Sequence, residues 1–176
     1  THPYYLARWN DLLGEHGNHG RVENPYWNKP KGEMVASCQN ATLLHSLVAD
    51  SLSCSSPSKA RWQGHGIEHC GYCLPCLIRR AALNAAWGVG DDATVYTVAN
   101  LHAHSLNTNE SIGKQVRSFQ LASSRLLAKP RLAKLLIHKP GSLADEAQRL
   151  DQLADVYLRG LQEVAQLIQG VETTPT

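Results

Sequence analysis

Cys70-Gly71-Tyr72-Cys73-Leu74-Pro75-Cys76 sets three thiols at steps of three residues, and Leu77-Ile78-Arg79-Arg80-Ala81-Ala82-Leu83 continues it with the composition of a helix. A fourth thiol, Cys54, lies upstream across a stretch rich in Ser, Gly and His. Zinc favours a tetrahedron of thiolates, and short Cys-x-x-Cys steps let one tight knuckle present several sulfurs while a remote residue closes the shell. Cys54, Cys70, Cys73 and Cys76 are therefore the candidate zinc ligands. Gly71 supplies the backbone freedom a knuckle needs. Pro75 suits a first helical turn, which sets Cys76 where the helix dipole stabilises a thiolate. Four sulfurs leave no coordination position for water, so the expected role is architectural.

Three other readings compete. A redox pair at Cys73 and Cys76 leaves Cys54 and Cys70 without a purpose and lacks a βαβ setting. An iron–sulfur cluster draws on similar spacing, but the knuckle-plus-helix arrangement favours zinc. His69 or His65 could replace one sulfur, although adjacent His69 and Cys70 seldom both reach one ion. Cys38 falls inside a predicted helix and reads as a small buried hydrophobe. His102 and His104 have no third ligand nearby and read as surface loop residues.

Working outward, 176 residues suffice for one domain with a core of its own, or a compact domain with a packed helical extension. The division expected is 1–92 as the zinc-bearing part and 93–176 as the extension. A composition 43% hydrophobic and 18% charged is that of a globular protein, and one Phe and one Met leave its core to Leu, Ala, Val and Trp. A formal charge of +2 is too mild to demand a nucleic-acid partner. No apolar run approaches the roughly 20 residues of a membrane span, and no basic-then-apolar leader opens the chain. Bunched cysteines without an export signal fit the reducing cytoplasm. Thr1 is not an initiator residue, so the chain reads as part of a longer protein.

The apolar rhythm predicts helices over 4–15, from Pro30 to about Asp50, over 74–87, over 109–128 and over 132–138. Residues 51–69 and 93–109 read as irregular, the β-propensity of 94–98 notwithstanding. From Ser142 the series Leu143, Ala147, Leu150, Ala154, Tyr157, Leu161, Val164, Ile168 alternates steps of four and three, one stripe of a long helix capped by Ser142 with Asp145 and Glu146. That stripe packs against the zinc-bearing part or, alternatively, zips two chains into a coiled coil. The fold class is mostly α, a zinc knuckle with a helical bundle.

Ser53-Cys54 followed by the 70–83 run resembles the carboxy-terminal zinc motif of 7-cyano-7-deazaguanine synthases, the QueC family. Asn24-Pro25 with Lys29-Pro30-Lys31-Gly32-Glu33-Met34 resembles that family's Asn-Pro…Lys-x-Glu stretch, and the tail over 157–164 is similar to the QatC branch of Qat anti-phage systems. The resemblance covers about 24–83. It implies the C-terminal part of an α/β ATP-pyrophosphatase-type enzyme. That enzyme uses ATP and magnesium to adenylate a deazapurine carboxylate and captures ammonia to an amide and then a nitrile, in queuosine-type tRNA chemistry or, in the defence branch, with another acceptor. A protein partner from the same operon is implied with it. The family's Ser-Gly-Gly-x-Asp-Ser phosphate loop has no counterpart, since this chain contains no Gly-Gly pair. Without that loop the chain alone is expected to be inactive as a ligase.

Among the residues so matched, Lys31 and Glu33 at a helix start could face an anionic substrate, the bland alternative being solvated charges. Arg79 and Arg80 follow the knuckle and could grip a phosphate or carboxylate, against a plain surface ion pair. The alternative to an enzyme part is a zinc-knuckle module that binds nucleic acid or protein without catalysis.

Overall fold

The structure, a computed structural model, describes residues 2–175 apart from the side chain of Gln63. Thr1 and the reading based on it lie outside the described residues. Among the described residues seven α-helices run in the order α1 (Pro3–Glu15), α2 (Lys31–Ala36), α3 (Ala41–Val48), α4 (Leu74–Trp87), α5 (Ser111–Ala128), α6 (Leu132–Leu136) and α7 (Leu150–Leu167). Short 3-10 turns occupy Pro57–Gln63 and Ala144–Arg149. Two strands, β1 (Leu106–Asn107) and β2 (Thr173–Thr174), pair in parallel with Leu106 opposite Thr173.

Helix α4 is the hub. Its inner face carries Leu77 and Ala81 into a core shared with Leu101, Leu106, Val116 of α5, and Val164, Ile168 and Val171 at the end of α7. A second cluster joins Leu126, Ala133 of α6, and Ala154 and Leu161 of α7. Each fully buried Leu or Val contributes about 1.5–3 kcal/mol; the first cluster ties the two halves of the chain together, and the second holds the C-terminal helices to one another. Short α2 lies along α4, where a Cβ on Gly32 would meet Ala85 at 3.0 Å and the Glu163 carboxylate at 2.5 Å. The Gly32 N–H donates to both carboxylate oxygens at 3.1 Å, which ties α2 to α7 as well. Burial pushes the Glu163 carboxyl above its ordinary range, against the pull of that N–H.

The mostly helical expectation holds, with corrections. The helix expected from Pro30 to Asp50 is two helices: α2 stops at Ala36, and Asn40 restarts the chain by accepting the Leu43 N–H at 3.0 Å as the N-cap of α3. The helix expected from Ser142 begins at Leu150, because Glu146 takes non-helical φ −115° and ψ 21° and the Ser142 hydroxyl accepts the nearby Ala144 N–H instead of capping α7. Of that stripe Ala147 and Tyr157 are exposed, while Leu143, Ala154, Leu161, Val164 and Ile168 are buried inside this one chain. The stripe therefore packs internally. Among the described residues the sheet is limited to two strands of two residues, so the α/β sheet of an ATP-pyrophosphatase is not built from them. Residues 94–98 form no strand; Tyr96 makes an isolated parallel bridge to His69.

Candidate metal centre

The four sulfurs of Cys54, Cys70, Cys73 and Cys76 lie within 4.8 Å of one another, a cluster able to hold a metal ion. Cys54 Sγ is 3.9 Å from Cys73 Sγ, and Cys70 Sγ is 3.9 Å from Cys76 Sγ. A tetrahedron with metal–sulfur bonds of about 2.3 Å has edges of about 3.8 Å, so both separations fit ligands of one ion. They are far too long for disulfides, and all five cysteines are free thiols.

Local backbone structure explains the convergence. Gly71 takes φ +86°, which turns the chain between Cys70 and Cys73, and a Cβ there would meet the Val98 carbonyl oxygen at 2.5 Å. Cys73 is the N-cap of α4 and Cys76 lies in its first turn. Backbone N–H groups point at the sulfurs: Cys73 N–H donates to Cys70 Sγ at 3.3 Å, and Ser56 and Cys70 N–H both donate to Cys54 Sγ at 3.4 Å. Such donors lower the cost of carrying several thiolates in one buried place. Cys70, Cys73 and Cys76 are buried and Cys54 is half-buried. The Cys70 thiol is held well below its usual range, chiefly by the hydrogen bond with Cys76 and despite burial, while the same contact and burial raise Cys76.

The shell around the sulfurs includes His69, offered by the sequence as an alternative ligand, while the metal-holding group itself is the four cysteines. His69 is 4% exposed, with Nε2 3.0 Å from the Ser51 carbonyl oxygen and Nδ1 3.7 Å from Cys76 Sγ, so it stands beside the cluster. Its ring meets Tyr96 edge-on at 5.7 Å. Adjacency to Cys70 was the available signal, but nothing in the sequence shows which way the ring turns. His102 and His104 are exposed and belong to no metal-holding group among the described residues. Cys38 sits in the turn between α2 and α3, away from the four sulfurs.

Both arginines after the knuckle reach back to this chain's own backbone. Arg80 Nη1 donates to the Gly71 and Val98 carbonyls at 3.1 Å each, Nη2 donates to Ala99 O at 2.6 Å, and the guanidinium lies 4.7 Å from the centre of the Tyr96 ring. Arg79 donates to the Val48 carbonyl, to Ser51 Oγ at 2.8 Å and to Thr94 Oγ1. Together they lace α3, the loop after it and residues 92–99 around the start of α4. Glu33 is ion-paired with Arg159 of α7, which also donates to Asn28 O at 3.0 Å, and Lys31 is exposed. Lys31 and Glu33 thus lie on α2, and Arg79 and Arg80 lie beside the cluster, in two separate places. A cleft of about 400 Å³ lies elsewhere, between α1 and residues 21–27, lined by Asn10, Asn24, Trp27 and Arg149.

No protein-family model, curated protein or solved structure matches the chain. The chemistry of the four sulfurs is therefore what speaks most directly to function. No helix among the described residues is long and apolar enough to cross a membrane.

Proposed function

We propose that this chain is a zinc-clamped, non-catalytic interaction module, in which the metal holds the 51–73 loop against α4. The observation that carries the reading is the convergence of four sulfurs within 4.8 Å. A polynuclear iron–sulfur cluster holds its thiolates farther apart than the ligands of one ion, and a thiol–disulfide pair has no use for four sulfurs at tetrahedral spacing. With every coordination position taken by sulfur, the ion has no place for water or substrate, which argues against Lewis-acid catalysis there. The arginines beside the cluster serve the clamp, since their donors meet carbonyl oxygens of the same chain.

Purified chain should carry about one zinc by elemental analysis, and Cys73→Ser should lose it together with the cooperative melt of the knuckle, because structural zinc binding is itself folding free energy. Metal-free protein that melts as the loaded protein does would reject the reading. Iron in place of zinc would keep the clamp and change the ion.

A second reading is favoured by one observation: the two stretches that carry the likeness to 7-cyano-7-deazaguanine synthases, on α2 and α4, pack side by side. On this reading the module is the zinc-bearing C-terminal part of a QueC-like or QatC-like ligase. Its deazapurine substrate, ATP, magnesium and any partner protein would then meet a nucleotide-binding part outside these residues. Addition of a separately produced phosphate-loop domain should restore ATP turnover if this is so, and ATP consumption by the present chain alone would contradict it.

A further inference from the structure

The mild net charge conceals a strong segregation. Between Glu110 and Asp145 the chain has seven basic residues and no acidic one, while the remainder has ten basic residues against fifteen acidic. The seven are Lys114, Arg117, Arg125, Lys129, Arg131, Lys134 and Lys139, and all are exposed. Among the described residues Lys134 alone of them is ion-paired, with Asp151.

Helix α5 gives this charge a shape. At about 100° per residue, Lys114, Arg117, Leu121 and Arg125 fall in a sector of roughly 80°, with Ser118 at its edge. Of the four residues α5 buries, Val116, Ser123 and Leu126 face the opposite side, and Gly113 lies at the flank in the first turn. Lys114, Arg117, Leu121 and Arg125 are all exposed, and the stripe rises about 16 Å along a straight axis. Lys129 and Arg131 continue the charge through the turn into α6.

We propose that the outer face of α5 binds the phosphate backbone of a nucleic-acid duplex without reading its sequence. A row of cations matches the regular line of charge that a duplex presents, and neutralising it releases counterions. A lipid surface fits less well, because a helix lying in a bilayer needs its apolar face free to insert and that face of α5 is in the core. Single strands fit less well too: residues 111–140 hold one aromatic residue, Phe119, and it packs inward, so nothing on the stripe can stack a base. The surface is independent of the metal cluster, and of Arg79 and Arg80, to which nucleic-acid binding would first have been ascribed.

The test is fluorescence anisotropy of the metal-loaded full chain with a labelled random-sequence 20-base-pair DNA duplex at several salt concentrations. Four or five phosphate contacts predict a slope of log affinity against log salt of about −4. Arg117→Glu with Arg125→Glu should weaken binding at least tenfold and bring the slope to about −2. Arg21→Glu with Arg61→Glu, the same charge change at exposed positions on other elements, should leave affinity within twofold. Equal losses in both double variants would overturn the proposal, as would no duplex binding at 50 mM salt or a preference for vesicles containing phosphatidylserine. Circular dichroism and zinc content of each variant separate loss of the surface from loss of the fold or the metal.

Discussion

Arg80 shows what a single side chain does here. Its guanidinium joins the Gly71 carbonyl of the knuckle to the Val98 and Ala99 carbonyls of the irregular segment, and burial lowers its pKa while the chain keeps it hydrogen-bonded on several sides. Arg80→Met keeps most of the volume and leaves three carbonyls short of a donor, at about 1–3 kcal/mol for each group that water cannot reach. We expect a loss of roughly 3 kcal/mol in chemical denaturation and a weaker hold on zinc. A variant within 0.5 kcal/mol of the parent would show that solvent satisfies those carbonyls, as at an ordinary surface position. The sequence names the four cysteines because ligand spacing is a local property. It is silent on the partners of Arg79 and Arg80, since Val48, Ser51, Thr94, Val98 and Ala99 are brought to them by tertiary folding.

At the scale of elements, the α5–β1 junction is the most tightly specified contact. Gly113 lies in the first turn of α5, and a Cβ there would overlap the backbone carbonyl of Asn107 at the end of β1. Alanine is the better helix former by about 1 kcal/mol, so propensity alone predicts that Gly113→Ala stabilises the protein. The packing predicts the reverse. The helix start or the strand must shift, and we expect a net loss of about 2–3 kcal/mol, read as a lower thermal midpoint. A raised midpoint would mean that the junction yields freely. The same scale shows where periodicity misleads. Asn40 carries the N-cap signal that marks the break at residues 37–40, whereas the kink at Glu146 is hidden because the steps of four and three run across it without interruption. Strands of two residues, paired across most of the C-terminal half, leave no pattern at all.

Across the whole molecule, two apolar clusters and one sulfur cluster divide the work of holding the fold. The sulfurs secure residues 54–76, whereas α5, α6 and α7 close around Leu126, Ala133, Ala154 and Leu161 without them. Removing metal with a chelator should therefore strip hydrogen-exchange protection from amides such as Cys73 and Val98 while those of α7 between Ala154 and Val164 keep theirs. Loss of protection throughout would show a single cooperative unit. The helical class and the four-cysteine cluster able to hold a metal were legible in the sequence; the segregated charge was present there too, but a net charge near zero masks a surface that only the orientation of α5 makes coherent.

Cys38 has a practical bearing as well. Standing apart from the other four, it is the one sulfhydryl that a metal-filled chain would still offer to an alkylating reagent, so mass spectrometry after mild alkylation should record a single adduct on loaded protein and up to five on stripped protein. The number of adducts would thus gauge how far the four-sulfur site is filled, with Cys38 as the constant reference.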